Sequence, residues 1–348
     1  LNQTQMETIT TMIVKGEINK ADFDVMKSKM PNLKYIDLKE VKCEGDKIPD
    51  KAFGEIYDIL ANKNINTIIL PESITTIGES AFSGCSGLTG NLILPDGVTT
   101  IEGWAFSGCS GFTGNLIIPG NVTTIGEMAF RGCTGLTGDL IISNGVTTIG
   151  ELAFVDCSNF KGNLILPDGL TTIGSEAFAQ CSGFTGNLIL PEGLTTIGWG
   201  AFGGCRGLTG NLILPDGLTT IGEYAFSNCS NFTGNLILPD GLTTIGNFAF
   251  RECSGFTGNL ILPDGLTTIG HYAFYNCYGF TGLTIGKNVT TIPEGAFSGC
   301  KNITGDVVFP ASLTSIIKYG FQGCNNVDAF QFPHTTPLGY NPNMLEKS

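Results

Sequence analysis

The sequence predicts an α/β repeat solenoid, and three observations predict it. First, the 24-residue block Asn187-Leu-Ile-Leu-Pro-Glu-Gly-Leu-Thr-Thr-Ile-Gly-Trp-Gly-Ala-Phe-Gly-Gly-Cys-Arg-Gly-Leu-Thr-Gly210 recurs with little change along most of the 348 residues. Second, cysteine marks the period at Cys85, Cys109, Cys133, Cys157, Cys181, Cys205, Cys229, Cys253, Cys277, Cys300 and Cys324, where a single step, Cys277 to Cys300, is 23 residues. Third, each block opens on Leu-x-Leu followed by Pro and Gly, a short strand that ends in a turn. A unit this small buries its apolar face only against its neighbours, so the coils must stack.

A period in the range of about 20 to 29 residues around Leu-x-Leu is the signature of a leucine-rich repeat. The architecture expected is a right-handed, curved coil of about eleven units with a parallel concave sheet, preceded by an α/β cap. The divisions are a capping segment with a degenerate first coil over residues 1–64, the array over 65–324, and a cap or tail over 325–348.

Within residues 1–64, Thr10 to Val14 alternates well enough for a short strand. Asn19-Lys-Ala-Asp22 then supplies an N-cap with an acid in the first turn, ahead of Phe23, Val25, Met26 and Met30, before Pro31 stops the helix. Leu33 to Leu38 with Ile48 and Phe53 reads as the degenerate coil, and a second helix is expected near Gly54 to Asn62. A helix over the first coil prevents edge-to-edge association.

From Ile65 the units lock into register. Strand alternation sends Leu188 and Leu190 inward and Ile189 outward. Pro191-Glu-Gly193 turns the chain, because proline fixes φ and glycine accepts positive φ. Leu194 to Ile197 lays a second short extended segment, and Ala201, Phe202, Cys205 and Leu208 fill the core on the return. After Cys324, Asn325 to Phe332 still reads as a strand before Pro333, Pro337 and Pro342 break it.

Charged residues make up 14% of the chain and glycine 49 positions, which suits a turn-rich array with a 42% apolar interior. The formal charge is −13: residues 1–64 hold 10 Lys and 11 acids, and the 8 basic and 20 acidic residues beyond them leave −12 on the repeats. Such a surface repels phosphate backbones, so nucleic acid and anionic membrane are poor partners, while cations or basic protein patches are better ones. No apolar run reaches the length of about 18 residues that a membrane span needs. A first residue Leu1 in place of Met suits an exported chain whose leader has been removed. Eleven cysteines at one repeat position stack in a column with parallel side chains, so they are expected to be buried thiols acting as small apolar groups. Free thiols in an exported protein point to a reducing habitat. No Cys-x-x-Cys or histidine partner suggests a metal, and no cofactor is expected.

The pattern Leu-x-x-x-Leu-x-Leu-Pro-Asp-Gly-Leu-Thr-Thr-Ile-Gly-x-x-Ala-Phe-x-x-Cys, as in Phe184 to Cys205, closely resembles the repeats of BspA-like bacterial surface leucine-rich-repeat proteins. Gly16 to Phe23 and Leu33 to Leu38 look like the amino-terminal cap of that family. The resemblance implies an exported or surface-anchored chain that binds other proteins, including extracellular-matrix and plasma proteins, with no shared catalytic residues.

A solenoid repeats each position along a line, so function is sought in columns. The outward column is Ile93, Ile117, Ile141, Ile165, Ile189, Ile213, Ile237 and Ile261, with Ile69 ahead of it and Thr284 and Val308 after. β-branched residues suit strands in any case, but a row of them facing solvent also marks a docking or self-association stripe. Beside it runs Asn91, Asn115, Asp139, Asn163, Asn187, Asn211, Asn235 and Asn259, expected to hold the turns as a ladder of amides. The acidic line through Asp168, Glu192, Asp216, Asp240 and Asp264 reads as turn chemistry, with too few oxygens around one point for calcium. Variation gathers on the return segment around Ala-Phe, at Trp104, Arg131, Trp199, Tyr224, Phe248, Arg251, Tyr272 and Tyr275. Trp, Tyr and Arg dominate binding hot spots, and aromatics along an edge also suit sugar rings, so a glycan is the alternative ligand. Catalysis is not expected: His271 and His334 lie apart, neither has a nucleophile and acid beside it, and repeats give rows of carboxylates where hydrolysis needs a matched pair.

Overall fold

The structure, a computed structural model, describes residues 2–55 and 64–333. It falls into two compact units, Leu1–Gly162 and Asn163–Ser348. Each is a parallel-strand leucine-rich-repeat solenoid, with about 13 turns in all.

The first unit begins with a short helix, α1 (Gln3–Thr8), which the sequence reading missed, and continues through β1 (Thr11–Ile18), α2 (Lys20–Lys29), β2 (Tyr35–Cys43), β3 (Lys47–Ile48) and β4 (Thr67–Ile69). Asn19 caps α2 as expected: its Oδ1 accepts from the Ala21 N–H at 2.8 Å, and Asp22 accepts from the Asn19 N–H at 2.9 Å. β1 pairs in parallel with β2, and β2 with β4. The N-terminal segment therefore supplies two coils in line with the repeats, where one degenerate coil was expected. These coils, with the last strand at Val327–Gln331, raise the turn count above eleven. They escaped a cysteine count because α2 replaces the Ala-Phe-x-x-Cys return in the first coil. The second helix expected near Gly54 to Asn62 falls mostly in 56–63, outside the described residues.

A second ladder runs through the Thr-Ile pairs. In the first unit it links β3 to Thr76–Ile77, Thr100–Ile101, Thr124–Ile125 and Thr148–Ile149. In the second unit it runs from Thr172–Ile173 to Thr268–Ile269. The return segments make a third set of links, as where the Phe202 N–H donates to the Ala225 carbonyl at 2.8 Å while the Cys205 N–H closes a turn onto Phe202 at 3.1 Å. Three lines of backbone bonding per coil satisfy the polar groups of a chain with little regular helix.

Between these lines lies the core. Phe23 meets Phe53 edge-on, and Phe53 begins a stack that continues through Phe82, Phe106, Phe130 and Phe154 at centroid spacings from 5.8 to 5.2 Å. Phe178 to Phe321 repeat the arrangement in the second unit. Offset ring pairs add about 0.5–1.5 kcal/mol each beyond their burial. The cysteines are free and buried. They are not merely apolar: along the column thiols reach back one coil to a phenylalanine carbonyl, as Cys229 Sγ does to Phe202 at 3.1 Å and Cys253 Sγ to Phe226 at 3.0 Å. Burial pushes the Cys205 and Cys324 thiols up to about 12.

The turns correct one expectation. Gly193 does not take positive φ; the Pro191–Leu194 turn closes with the Leu194 N–H on the Pro191 carbonyl at 3.1 Å. Left-handed glycine instead stands just before the asparagine column, as at Gly162 (φ +70) and Gly210 (φ +73). There the residue one coil back fills the space: a Cβ on Gly162 would stand 2.6 Å from Asp139 Oδ1. The amide ladder itself is seen where Asn163 Oδ1 accepts from the Asn187 N–H at 2.8 Å. At the 23-residue step the missing residue is the asparagine, the pairing shifts register between Gly258 and Asn259, and Asn259 turns its amide to Thr284 Oγ1 at 3.0 Å.

Candidate binding faces

Two surfaces carry the residues singled out from the sequence. On the sheet face of the first unit, Ile93, Ile117 and Ile141 point outward, and Ile117 lies opposite Ile141 in register. Ile69 is half-buried. An open hollow of about 470 Å³ is lined by Asn91, Ile93, Asp96, Asn115, Ile117 and Pro119. On the second unit Ile165, Ile189, Ile213, Ile237 and Ile261 form a row that is 45–73% exposed, with flanking leucines buried. Partners match like with like: Ile165 with Ile189, Ile213 with Ile237, Ile237 with Ile261. Exposure peaks at Ile213 and Ile237, where the strand ladder thins to an isolated bridge. Exposed Asn187, Asn211 and Asn235 border this row on one side and exposed Asp168, Glu192 and Asp240 on the other.

The return edge holds the variable residues, and its backbone has a property no residue pattern displayed directly. The position just before each Ala-Phe, and before Gly320-Phe321, is left-handed: Lys51, Ser80, Trp104, Met128, Leu152, Glu176, Gly200, Tyr224, Phe248, Tyr272, Gly295 and Tyr319 all have φ between +50 and +62. Bulky residues are rare in that region. A signal was present in the column itself, where Gly200 and Gly295 alternate with large side chains. In the second unit these side chains lean on one another. Tyr224 stacks on Phe248 at 4.7 Å and Phe248 on Tyr272 at 5.3 Å. Tyr275 meets Tyr272 edge-on, and Arg251, paired with Glu252 at 2.8 Å, lies over the Tyr275 ring. Tyr272 donates its hydroxyl to Glu294 at 2.9 Å; partial burial first, and that carboxylate second, hold its phenol above the usual range. Trp199 meets Tyr224 edge-on at 6.0 Å and is 46% exposed. The stack thus consumes its own ring faces and leaves the indole most open. Trp104 is half-buried and Arg131 exposed, both in the first unit.

Among the described residues no three His, Cys, Asp or Glu side chains converge as metal ligands, and no helix is long and apolar enough to cross a membrane. Asp264 belongs to an ion pair: Lys287, through its side chain and then its backbone N–H, holds that carboxyl below the usual range.

Parallel coils built on an inward Leu-x-Leu and an Ala-Phe return define a leucine-rich-repeat solenoid. The family model described as the BspA type leucine rich repeat region matches in 6 copies, over residues 46–185, 159–254, 184–304 and 233–341, so the chain belongs to that family. It is similar to a leucine-rich repeat protein from Bacteroides ovatus, with 28% identity and a TM-score of 0.66 over 82% of this chain and 76% of that one. A leucine rich cell surface protein from Faecalibacterium prausnitzii shares 21% identity over 87% of this chain and 86% of its own, with a TM-score of 0.45. The pneumococcal vaccine antigen PcpA shares 17% over 97% and 80%, with a TM-score of 0.43. No curated protein sequence matches the chain.

Proposed function

We propose that the chain is an exported or cell-surface protein-binding module, an adhesin or surface scaffold, that docks extracellular-matrix or plasma proteins on its sheet face and performs no catalysis. The observation that carries this reading is the isoleucine row of the second unit. Water-facing isoleucines at 45–73% exposure, rigidly spaced one coil apart, form the kind of apolar patch that usually marks an interface. Its borders state the chemistry of the partner. Amides line one side and carboxylates the other, so the complementary surface has an apolar centre and a basic rim.

The test is capture from immobilised matrix and plasma proteins with the wild type and the Ile189→Lys/Ile213→Lys double variant. Both positions are solvent-facing, so the variant is expected to keep its melting temperature while losing capture, and wild-type capture is expected to weaken as salt rises. Undiminished capture by a folded double variant overturns the reading. Protease shaving of intact cells tests the location: release of repeat peptides without lysis is the expected result.

A further inference from the structure

We propose that Trp199, with Glu176 and Gln180, forms a binding site for one pyranose ring of a neutral glycan on the return edge of the second unit. The site lies apart from the isoleucine face and does not depend on the reading given for it.

Side chains at the left-handed positions lean toward the following coil. Tyr272 lies over Gly295 and Asn276 over Gly299, as Tyr224 lies against Phe248. In the coil of Trp199 both left-handed positions are glycine, Gly200 (φ +59) and Gly204 (φ +77), and Gly203 lies beside them. The aromatic column therefore begins only at Tyr224, and the coil before Trp199's leans onto bare backbone. A Cβ on Gly200 would stand 3.0 Å from Glu176 Cγ, and one on Gly204 would stand 2.6 Å from Gln180 Oε1. A carboxylate and a primary amide are thereby brought to the level of this coil. The two coils are tied there by the Glu176 N–H donating to the Trp199 carbonyl at 2.6 Å.

Trp199 is the residue before Gly200, and its indole belongs to this same edge. Tyr224 supports it edge-on, at an interplanar angle of 77°, and nearly half of its surface faces water. Elsewhere in the second unit the edge rings spend their faces on each other or sit under a cation, as Tyr278 does under Lys301 at 4.9 Å. One flat, electron-rich face, on a coil edge that also receives an acceptor and a donor–acceptor amide from the coil before it, matches a pyranose ring. The ring's C–H face is apolar and slightly positive against the indole's negative face, and its vicinal hydroxyls need both a donor and an acceptor. A protein partner would need about 800 Å² on each side, which a single open ring does not offer. Anionic sugars are disfavoured by Glu176.

The chain has 2 tryptophans, so a Trp104→Phe background makes Trp199 the sole indole reporter. That protein is titrated with cello-, xylo-, laminari-, manno- and malto-hexaoses while emission is followed. The expected result is a saturable shift with at least one of them. By calorimetry the same glycan loses binding in Trp199→Ala, weakens about tenfold in Gln180→Ala, and keeps most of its affinity in Trp199→Phe. The Ile189→Lys/Ile213→Lys double variant is expected to bind the glycan as the wild type does. No shift with any hexaose at millimolar concentration overturns the proposal, as does a responding glycan whose affinity is unchanged in folded Trp199→Ala.

Discussion

Ser80 is fully buried at φ +54, and its hydroxyl has no hydrogen-bond partner among the described residues. A left-handed non-glycine costs about 1–2 kcal/mol and an unsatisfied buried hydroxyl about 1–3 kcal/mol, whereas glycine loses about 0.5–1 kcal/mol more chain entropy on folding. The first two terms outweigh the third, and the same column already carries Gly200 and Gly295. Ser80→Gly is therefore expected to stabilise the fold by about 1 kcal/mol or more in urea melts. A destabilised Ser80→Gly protein would show that the seryl Cβ packs for more than the strain it brings. The outward aim of Ile189 and the inward aim of Leu188 were legible from strand alternation. The backbone sign at Trp104, Tyr224 or Tyr272 was not, because a side chain's identity does not report φ unless glycine shares its column. Gly193 shows the converse, since the expected positive φ there belongs to Gly210.

At the scale of elements, the phenylalanine stack and the cysteine column respond to different challenges. Phe202 is fully buried between Phe178 at 5.7 Å and Phe226 at 5.4 Å, so Phe202→Ala is expected to cost about 3–5 kcal/mol, read as a lowered urea midpoint. The column responds to alkali. Cys205 keeps its proton in the fold up to about 12, held there mainly by burial, whereas an unfolded thiol releases it near 9.0. Between those values the unfolded chain binds fewer protons than the native one, so stability falls as pH rises, by up to about 1.4 kcal/mol per pH unit for each such thiol. The expected outcome is a urea midpoint that is flat below pH 8 and drops steeply above 9, with a shallower drop in Cys205→Ala. A chromogenic disulfide reagent is expected to find no reactive column thiol until the chain unfolds. Lys47 makes an opposite kind of link, a side-chain bridge to Asp50 at 2.7 Å and Glu102 at 2.8 Å. Burial works against both charges, yet the pairing outweighs it and leaves the Asp50 carboxyl below its usual range. The cysteine period exposed the column at once, whereas the Lys47 bridge joins residues 55 apart and left no local mark.

For the molecule as a whole, the repeat class was legible because one solution to packing is written many times. The turn count was not, because α2 follows β1, and after β2 the pair Ala52-Phe53 leads to Ile56 where the other coils have cysteine. The candidate sites were legible as columns and illegible as contacts. Nothing in the spacing of Trp199, Tyr224, Phe248 and Tyr272 tells that three of them stack while the first stands open. The strict register of the ladders has one more outcome. Because Leu164 lies opposite Leu188 and Thr196 opposite Thr220, any stretch of one period is interchangeable with the next. Removing residues 188–211 joins Asn187 to Leu212 and is expected to give a cooperatively folding chain one coil shorter, by circular dichroism and scattering. Unequal recombination within the gene would then lengthen or shorten the sheet face in whole coils, giving a lineage a ruler it can recut without redesigning the material.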